Sequence, residues 1–559
     1  IRSRQLGGKA AALDLVRRKV ISRIAPAAFP AFEIAVPTLT VLTTDLFDSF
    51  MQRNDLAPPT SDEEADERIA LAFQHGELPA EFVGDLRALN SSVHTPLAVR
   101  SSSLLEDALE HPFAGVYGTK MTPNNQPEVD TRFHRLVEAI KYVYASTYFR
   151  HARSYLRSVG QRPEAEKMAV IVQEIVGTRY DQRFYPTISG VARSYSYYPS
   201  GHARPEDGVV NLALGLGKQI VDGGISWTYC PAYPKAPPPY NNLGDLLKNS
   251  QTQFWAVNMG TPPAPDPIRE TEYMVRLDLE AAEWDGTLDH VVSTLPADSD
   301  RLRAGLHGKG PRVVDFAPIL SLGTLPLNDV IRRLLDLTEE ALGAAVEIEF
   351  AVSLGRRRTE PARLGFLQAR PMAVATEPVT IGNEEMAGDR VVVRSDRALG
   401  NGTRDDIHDI VFVRPLAFEA RYTSRIAREL DELNRSLVAE GRPYLLIGFG
   451  RWGSQDPWLG IPVEWGAISG AKVIVEATLP DMAPDLSQGS HFFHNMISLE
   501  VLYLAAPHDA EAVRWEWLDQ QPTVRETEFI RHVRPSAPLV VKVDGRTGRG
   551  VITHAREDV

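Results

Sequence analysis

Leu97-Ala98-Val99-Arg100-Ser101-Ser102-Ser103, continuing through Glu106-Asp107 to Phe113-Ala114-Gly115-Val116-Tyr117-Gly118-Thr119, decides how the chain reads. A short apolar run ends in an arginine and three hydroxyls, and a carboxylate pair and a glycine-containing loop follow. Val99 reads as the end of a buried strand. Arg100 is thereby delivered at a strand terminus, where open α/β sheets place ligands. A guanidinium offers a fixed fork of N–H donors that matches phosphate oxygens, and serines add donors without bulk. Gly115 and Gly118 let backbone approach a polyphosphate closely, as a side chain would not. The bland alternative is a strand end whose arginine pairs with Glu106 or Asp107.

The 559 residues exceed what one core supports, so two or three domains are expected. Sixty basic and 73 acidic residues give a net charge of −13, which argues against a general nucleic-acid surface while leaving room for a local basic cleft. Cys230 is the single cysteine, so no intrachain disulfide forms and a reducing, cytoplasmic setting is expected. No apolar run approaches the ~20 residues that span a bilayer, so no membrane partner is expected. The start, Ile1-Arg2-Ser3-Arg4-Gln5, has neither an initiator methionine nor a signal-peptide pattern, which leaves a truncated beginning and a missing upstream domain open.

Leu6-Gly7-Gly8-Lys9-Ala10-Ala11 feeds two glycines into a helix whose lysine could reach a phosphate as a mobile point charge. A glycine turn before a surface helix is the plainer alternative. Residues 62–90 are charged and helical in pattern, and 131–158 read as one long amphipathic helix. Met168-Ala169-Val170-Ile171-Val172-Gln173-Glu174 is an apolar run broken by a polar pair, the pattern of a buried strand. Ile188 to Arg193 begins another strand, and Gly215-Leu216-Gly217 could approach a ligand backbone-first without the full dinucleotide fingerprint. Val346-Glu347-Ile348-Glu349-Phe350 alternates strictly, with both carboxylates on one strand face. Leu364-Gly365-Phe366-Leu367-Gln368-Ala369-Arg370-Pro371 returns as a second strand. Glu349, Gln368 and Arg370 then share one side: two oxygen ligands suited to Mg²⁺ beside a fork of donors. A charged, solvent-facing hairpin is the alternative.

In order along the chain, these pieces resemble the nucleotide-binding domain of the phosphoenolpyruvate synthase and pyruvate phosphate dikinase family, an ATP-grasp fold. The matches are Gly-Gly-Lys at 7–9, Ala-Val-Arg-Ser-Ser at 98–102, Phe-Ala-Gly at 113–115 and Val-Gln-Glu at 172–174. Ser-Gly-Val at 189–191, Gly-Leu-Gly at 215–217, Glu-Ile-Glu-Phe at 347–350 and Leu-Gln-Ala-Arg-Pro at 367–371 complete the series. The resemblance covers roughly residues 5–375 and implies an α+β architecture with an ATP-grasp domain over 1–375; beyond the linker Thr376-Glu377-Pro378, strand-like runs and a helix over 416–440 read as a smaller α/β domain over 376–559. The resemblance casts Lys9 and Arg100 as phosphate-contacting cations, and Gly115 to Thr119, with Gly118, as the loop over the terminal phosphates. Gln173 and Glu174 become the adenine-facing hinge, Glu349 and Gln368 the Mg²⁺ ligands, and Arg370 a cation beside the phosphates.

Members of that family pass phosphate to a histidine in a Gly-Gly-x-Thr-Ser-His-Ala motif on a swivelling domain. The nearest stretch, Trp465 to Ile474, puts Gly470 where the histidine belongs, which leaves 376–559 open to being a degenerate swivelling-type domain. There is also no room after it for the ~250-residue pyruvate-binding barrel, so the usual pyruvate conversion is not expected of the chain as given. Ser487-Gln488-Gly489-Ser490-His491-Phe492-Phe493-His494 sets two histidines three apart, and His491 is the candidate phosphohistidine. Arg451, after the apolar run Tyr444–Phe449, could serve a second anion site. The expected function is an ATP- and Mg²⁺-dependent phosphotransferase acting on a small-molecule or protein acceptor, by way of a phosphohistidine here or on a partner domain. The alternative is a non-catalytic nucleotide-binding module that acts with a partner domain.

Overall fold

The computed structural model describes residues 6–59, 64–103, 105–106, 115–158, 161–197, 199, 202–236, 243–297, 299–355, 357, 360–372, 374, 379–454, 456–480, 482, 501–508 and 512–554. These form two compact units. The first runs to Met372 except for Val221–Gly224, and the second comprises Val221–Gly224 with the residues from 373 onward.

Four sheets lie among the described residues of the first unit, and two of them position the residues singled out above. The strands of those two, in chain order, are β1 (Phe32–Ala35), β2 (Leu39–Leu42), β3 (Leu97–Ser103), β4 (Thr119–Thr122) and β5 (Met168–Glu174). They continue with β6 (Ile188–Arg193), β7 (Val209–Ala213), β8 (Trp227–Tyr229), β9 (Val346–Ser353) and β10 (Ala362–Pro371). Strands β2-β5-β3-β4 make an antiparallel four-stranded sheet, and β1-β10-β9-β6-β7-β8 a six-stranded sheet in which only β1 and β10 run parallel. The apolar run Met168–Val172 is fully buried because β5 lies between β2 and β3.

Helices cover these sheets through one face each. In α1 (Gly8–Lys19) the buried side is Lys9, Ala10, Leu13 and Val16. Helix α3 (Leu327–Leu342) buries Leu327, Val330, Ile331, Leu334 and Thr338, the 3-and-4 spacing of a helix with one apolar stripe. Gly343, at φ 70°, ends it in the left-handed conformation with its N–H bonded to Glu339 O. The long helix expected over 131–158 is two helices, α2 (Val129–Ser146) and Arg150–Ser158. Between them the N–H groups of Thr147, Tyr148 and Phe149 bond three residues back instead of four. The tightened turn seats Tyr148 against Phe47 and Phe73.

In the second unit β11 (Asp409–Val413), β12 (Tyr444–Phe449), β13 (Ala471–Ala477) and β14 (Leu502–Ala506) are parallel neighbours in a seven-stranded sheet. Helix α4 (Thr423–Ala439) makes the crossover from β11 to β12, and β15 (Ile530–Val533) pairs antiparallel with β11. Asp409, buried at the start of β11, ties three elements together. Its Oδ1 accepts from His532 Nε2 at 2.8 Å and Arg534 Nε at 2.9 Å, and its Oδ2 accepts from Arg442 Nε at 2.7 Å. Burial pushes the Asp409 carboxyl up, but the three donors outweigh it and hold the group down at about 2.

A carboxyl held below its unfolded value near 3.9 stabilises the fold above that value and stops doing so as pH falls through the folded value. The second unit should therefore lose stability between about pH 4 and pH 2. Asp409→Asn should lower stability at pH 7 by roughly 1–3 kcal/mol and flatten that acid limb, read by urea melts across pH. An unchanged acid limb in the variant would show that Asp409 is not its source.

Candidate functional site

Strand pairing brings three of the expected residues, Glu349, Gln368 and Arg370, to one place. Glu349 on β9 lies directly opposite Gln368 on β10, and Glu347 opposite Arg370. Side chains two apart on a strand share a face, so the two rows stack on the same side. A bulge follows, because Phe350 pairs with Phe366 and Leu367 is passed over. The Leu367 carbonyl accepts from Arg100 Nη1 at 3.1 Å. Arg100 Nη2 reaches Gln368 Oε1 at 2.6 Å and stands 3.6 Å from Glu349 Oε2, while Nη1 lies 3.5 Å from Gln173 Oε1. The fork from the four-stranded sheet thus closes on the bulged hairpin of the six-stranded one.

Behind this cluster Glu347 is held between two guanidiniums. Arg370 Nε donates to Glu347 Oε1 at 2.6 Å, and Arg193, which pairs with Glu347 across β6 and β9, contacts Glu347 Oε2. The Glu347 side chain is 0% exposed, and those of Arg193 and Arg370 are 2% exposed. Arg193 has no assigned role in the sequence reading. The signal was present, since Arg193 ends the apolar strand β6, whereas Arg100, expected at a strand terminus, lies in the middle of β3. Over these five charged residues three guanidiniums meet two carboxylates, an excess that suits an anion.

Two atoms of the cluster are buried without a hydrogen-bond partner, Glu349 Oε1 and Gln173 Nε2. Arg370 Nη2 lies 3.7 Å from Glu349 Oε1, beyond hydrogen-bond reach. A carboxylate and an amide oxygen on opposed residues are the hard donors Mg²⁺ accepts when phosphates fill its remaining positions. Among the described residues no group of three or more His, Cys, Asp or Glu could hold a metal unaided. Glu349 and Gln368 therefore fit a phosphate-bridging Mg²⁺ rather than a protein-only cage. Their oxygens are the ones Arg100 engages, so metal and guanidinium would compete for them.

Other expected residues lie elsewhere. Lys9 is buried and bonds Glu106 Oε1 at 2.8 Å and Ser101 Oγ at 3.3 Å, apart from the partners of Arg100. Gly7, at φ 74°, and Gly8 start α1 against this turn; a Cβ would fall 1.6 Å from Ser102 O at Gly7 and 1.8 Å from Glu106 O at Gly8. The pair is glycine because helix and turn touch there. Gly118 faces the Tyr142 ring, where a Cβ would approach to 2.6 Å, and its N–H bonds Ser146 Oγ. Gly115 is exposed at φ 66°, and Thr119 pairs with Arg100 across β3 and β4. At the end of β5, the N–H groups of Glu174 and Ile175 are taken up by Thr38 O and Pro96 O, both at 2.9 Å. His491, Phe113 and Ala114 lie outside the described residues.

The loop carries one pair that has no cue in the sequence. Tyr117 Oη donates to Glu166 Oε2 at 3.0 Å, and burial, aided by Glu106, pushes the Glu166 carboxyl up to about 7.

A family model described as pyruvate phosphate dikinase, AMP/ATP-binding domain, matches residues 3–387. The chain belongs to this family. The pyruvate phosphate dikinase AMP/ATP-binding match contains the whole Arg100–Glu349–Gln368 cluster. A phosphoenolpyruvate synthase of Aeropyrum pernix is 34% identical over 131 residues, which is 23% of this chain and 14% of that protein. The chain thus aligns with about one seventh of that relative's length. Among the described residues no helix is long and apolar enough to cross a membrane.

Glu347 and Glu349 should separate in a stability assay. Glu347→Gln leaves two buried guanidiniums short of their counter-charge and should cost roughly 3–5 kcal/mol. Glu349→Gln, whose Oε1 has no donor to lose, should stay within about 1 kcal/mol of the parent in denaturant melts. Equal losses in the two variants would contradict this division of labour.

Proposed function

We propose that the first unit is an ATP-grasp nucleotide site of a phosphotransferase resembling phosphoenolpyruvate synthase. The observation that carries this reading is the convergence of Arg100 with Gln173, Glu349 and Gln368, residues from two sheets and up to 268 positions apart. In phosphoryl transfer the protein's work is placing cations around oxygens whose charge shifts, with little covalent chemistry of its own. Glu349 and Gln368 would hold Mg²⁺, which would supply charge neutralisation for the phosphates. Arg100 leaves Gln368 for a phosphate when the nucleotide enters, and its fork then orients the transferring group. Arg370, fixed by Glu347, supplies a positive charge that does not move. Gln173 offers its buried amide nitrogen as a further donor, and Lys9 holds the Ser101–Glu106 turn. The acceptor is a small molecule or a protein, reached directly or through a phosphohistidine, for which His491 is the first candidate.

ATP labelled separately in its β- and γ-phosphates tests this reading, with acid and base stability of any labelled protein read afterwards. The parent should release or transfer label. Arg100→Ala and Glu349→Ala should each cut turnover by at least about 100-fold while the fold stays intact. Normal turnover in both variants rejects the site. Tight ATP binding with neither phosphate release nor protein labelling selects a non-catalytic nucleotide-binding module that acts with a partner domain.

A further inference from the structure

Four neighbouring strands of the second unit end at a crevice that the nucleotide reading does not use. Phe449, Ala477 and Ala506 are the last residues of β12, β13 and β14, and Pro415 lies just past β11. Together they border a cavity of ≈ 680 Å³. These strands are parallel, and open sheets of parallel strands take ligands outside their carboxyl ends. The volume falls in the range that holds a small organic molecule.

About half of its wall is carbon, with Met386, Val392 and Leu479 beside a Phe449–Trp515 stack at 5.5 Å and 28°. The charged groups are few and mostly cationic. Arg394 and Arg514 come from two segments locked by backbone bonds, Arg394 N to Ala512 O and Arg514 N to Val392 O, both 2.9 Å. Both residues are exposed, so their charges are reachable from solvent. His508 follows β14, and its amide and its Nδ1 each lie 3.0 Å from Thr478 Oγ1. When the hydroxyl donates to Nδ1, the ring proton sits on Nε2 and makes that nitrogen a third donor. Glu516 is the one carboxylate among the described lining residues. A chamber with an aliphatic and aromatic wall and a cationic, fork-bearing rim suits a small apolar or aromatic body carrying an anionic head.

We infer that this crevice is a second ligand site, for a small organic anion whose head is a carboxylate or a phosphate. The site lies within the second unit and does not depend on the nucleotide reading.

Calorimetric titration of the whole chain with phenyl phosphate and, separately, with benzoate tests the site and tells the two heads apart. At least one should bind saturably with a Kd below about 5 mM. Arg394→Gln and Arg514→Gln should each weaken it at least about tenfold with an unchanged melting temperature, and saturating MgATP should leave it in place. Benzyl alcohol, which lacks the charge, should bind no differently to parent and variants. His508→Gln, expected to weaken binding less, replaces either arginine variant that fails to fold. The site is overturned if neither anion binds saturably, if the variants bind like the parent, or if MgATP displaces the probe.

Discussion

A single carboxylate, Glu347, sits with no exposure between the guanidiniums of Arg193 and Arg370, and the geometry of the first unit follows from that contact. Its three residues occupy one row across β6, β9 and β10, so satisfying the charge fixes the register of three strands at once. A slip of β9 by one residue would turn Glu347 to the face away from both arginines, leaving charges buried without counter-charge. The same register sets Glu349 against Gln368 one row along and places the bulge at Leu367. What holds the hairpin therefore also aims the groups proposed to meet the nucleotide.

Rigid and exchangeable cations divide the work in this reading. Arg370 is locked by a buried carboxylate, whereas Arg100 is shared among Gln173, Leu367 O, Gln368 and Glu349, 13–15% exposed together with Glu349, and can trade those partners for phosphate oxygens. The exchange offsets the loss of Arg100's contacts, and it frees the oxygens of Glu349 and Gln368 for a divalent ion. Lys9 instead joins Ser101 and Glu106 into a buried knot at the end of β3.

Patterns that depend on near neighbours were legible in the sequence. The apolar runs of β5 and β12 and the alternation of β9 appear as strands where the sequence period places them. Partners far apart were not legible from spacing. Arg100 could have paired with Glu106 a few positions on, yet Lys9 takes that carboxylate and Arg100 bonds residues more than 260 positions away. The glycines at 7 and 8 invited a phosphate, but their need is steric, set by Ser102 and Glu106. Periodicity ran through Thr147–Phe149 because the aromatic packing that tightens the chain there comes from elsewhere in the fold. Arg451, expected at an exposed anion site, is buried and donates to the carbonyls of Gly223 and Gly224.

The central claim is that Arg100, Glu349 and Gln368 form one grip on a magnesium-bound triphosphate, and a crystal structure with a non-hydrolysable MgATP analogue bears on it most directly. The account predicts phosphate density between the two sheets, the metal on Glu349 and Gln368, and the Arg100 guanidinium moved from Gln368 to a phosphate oxygen. An analogue bound at another surface, with Arg100 still closed on Gln368, would contradict it.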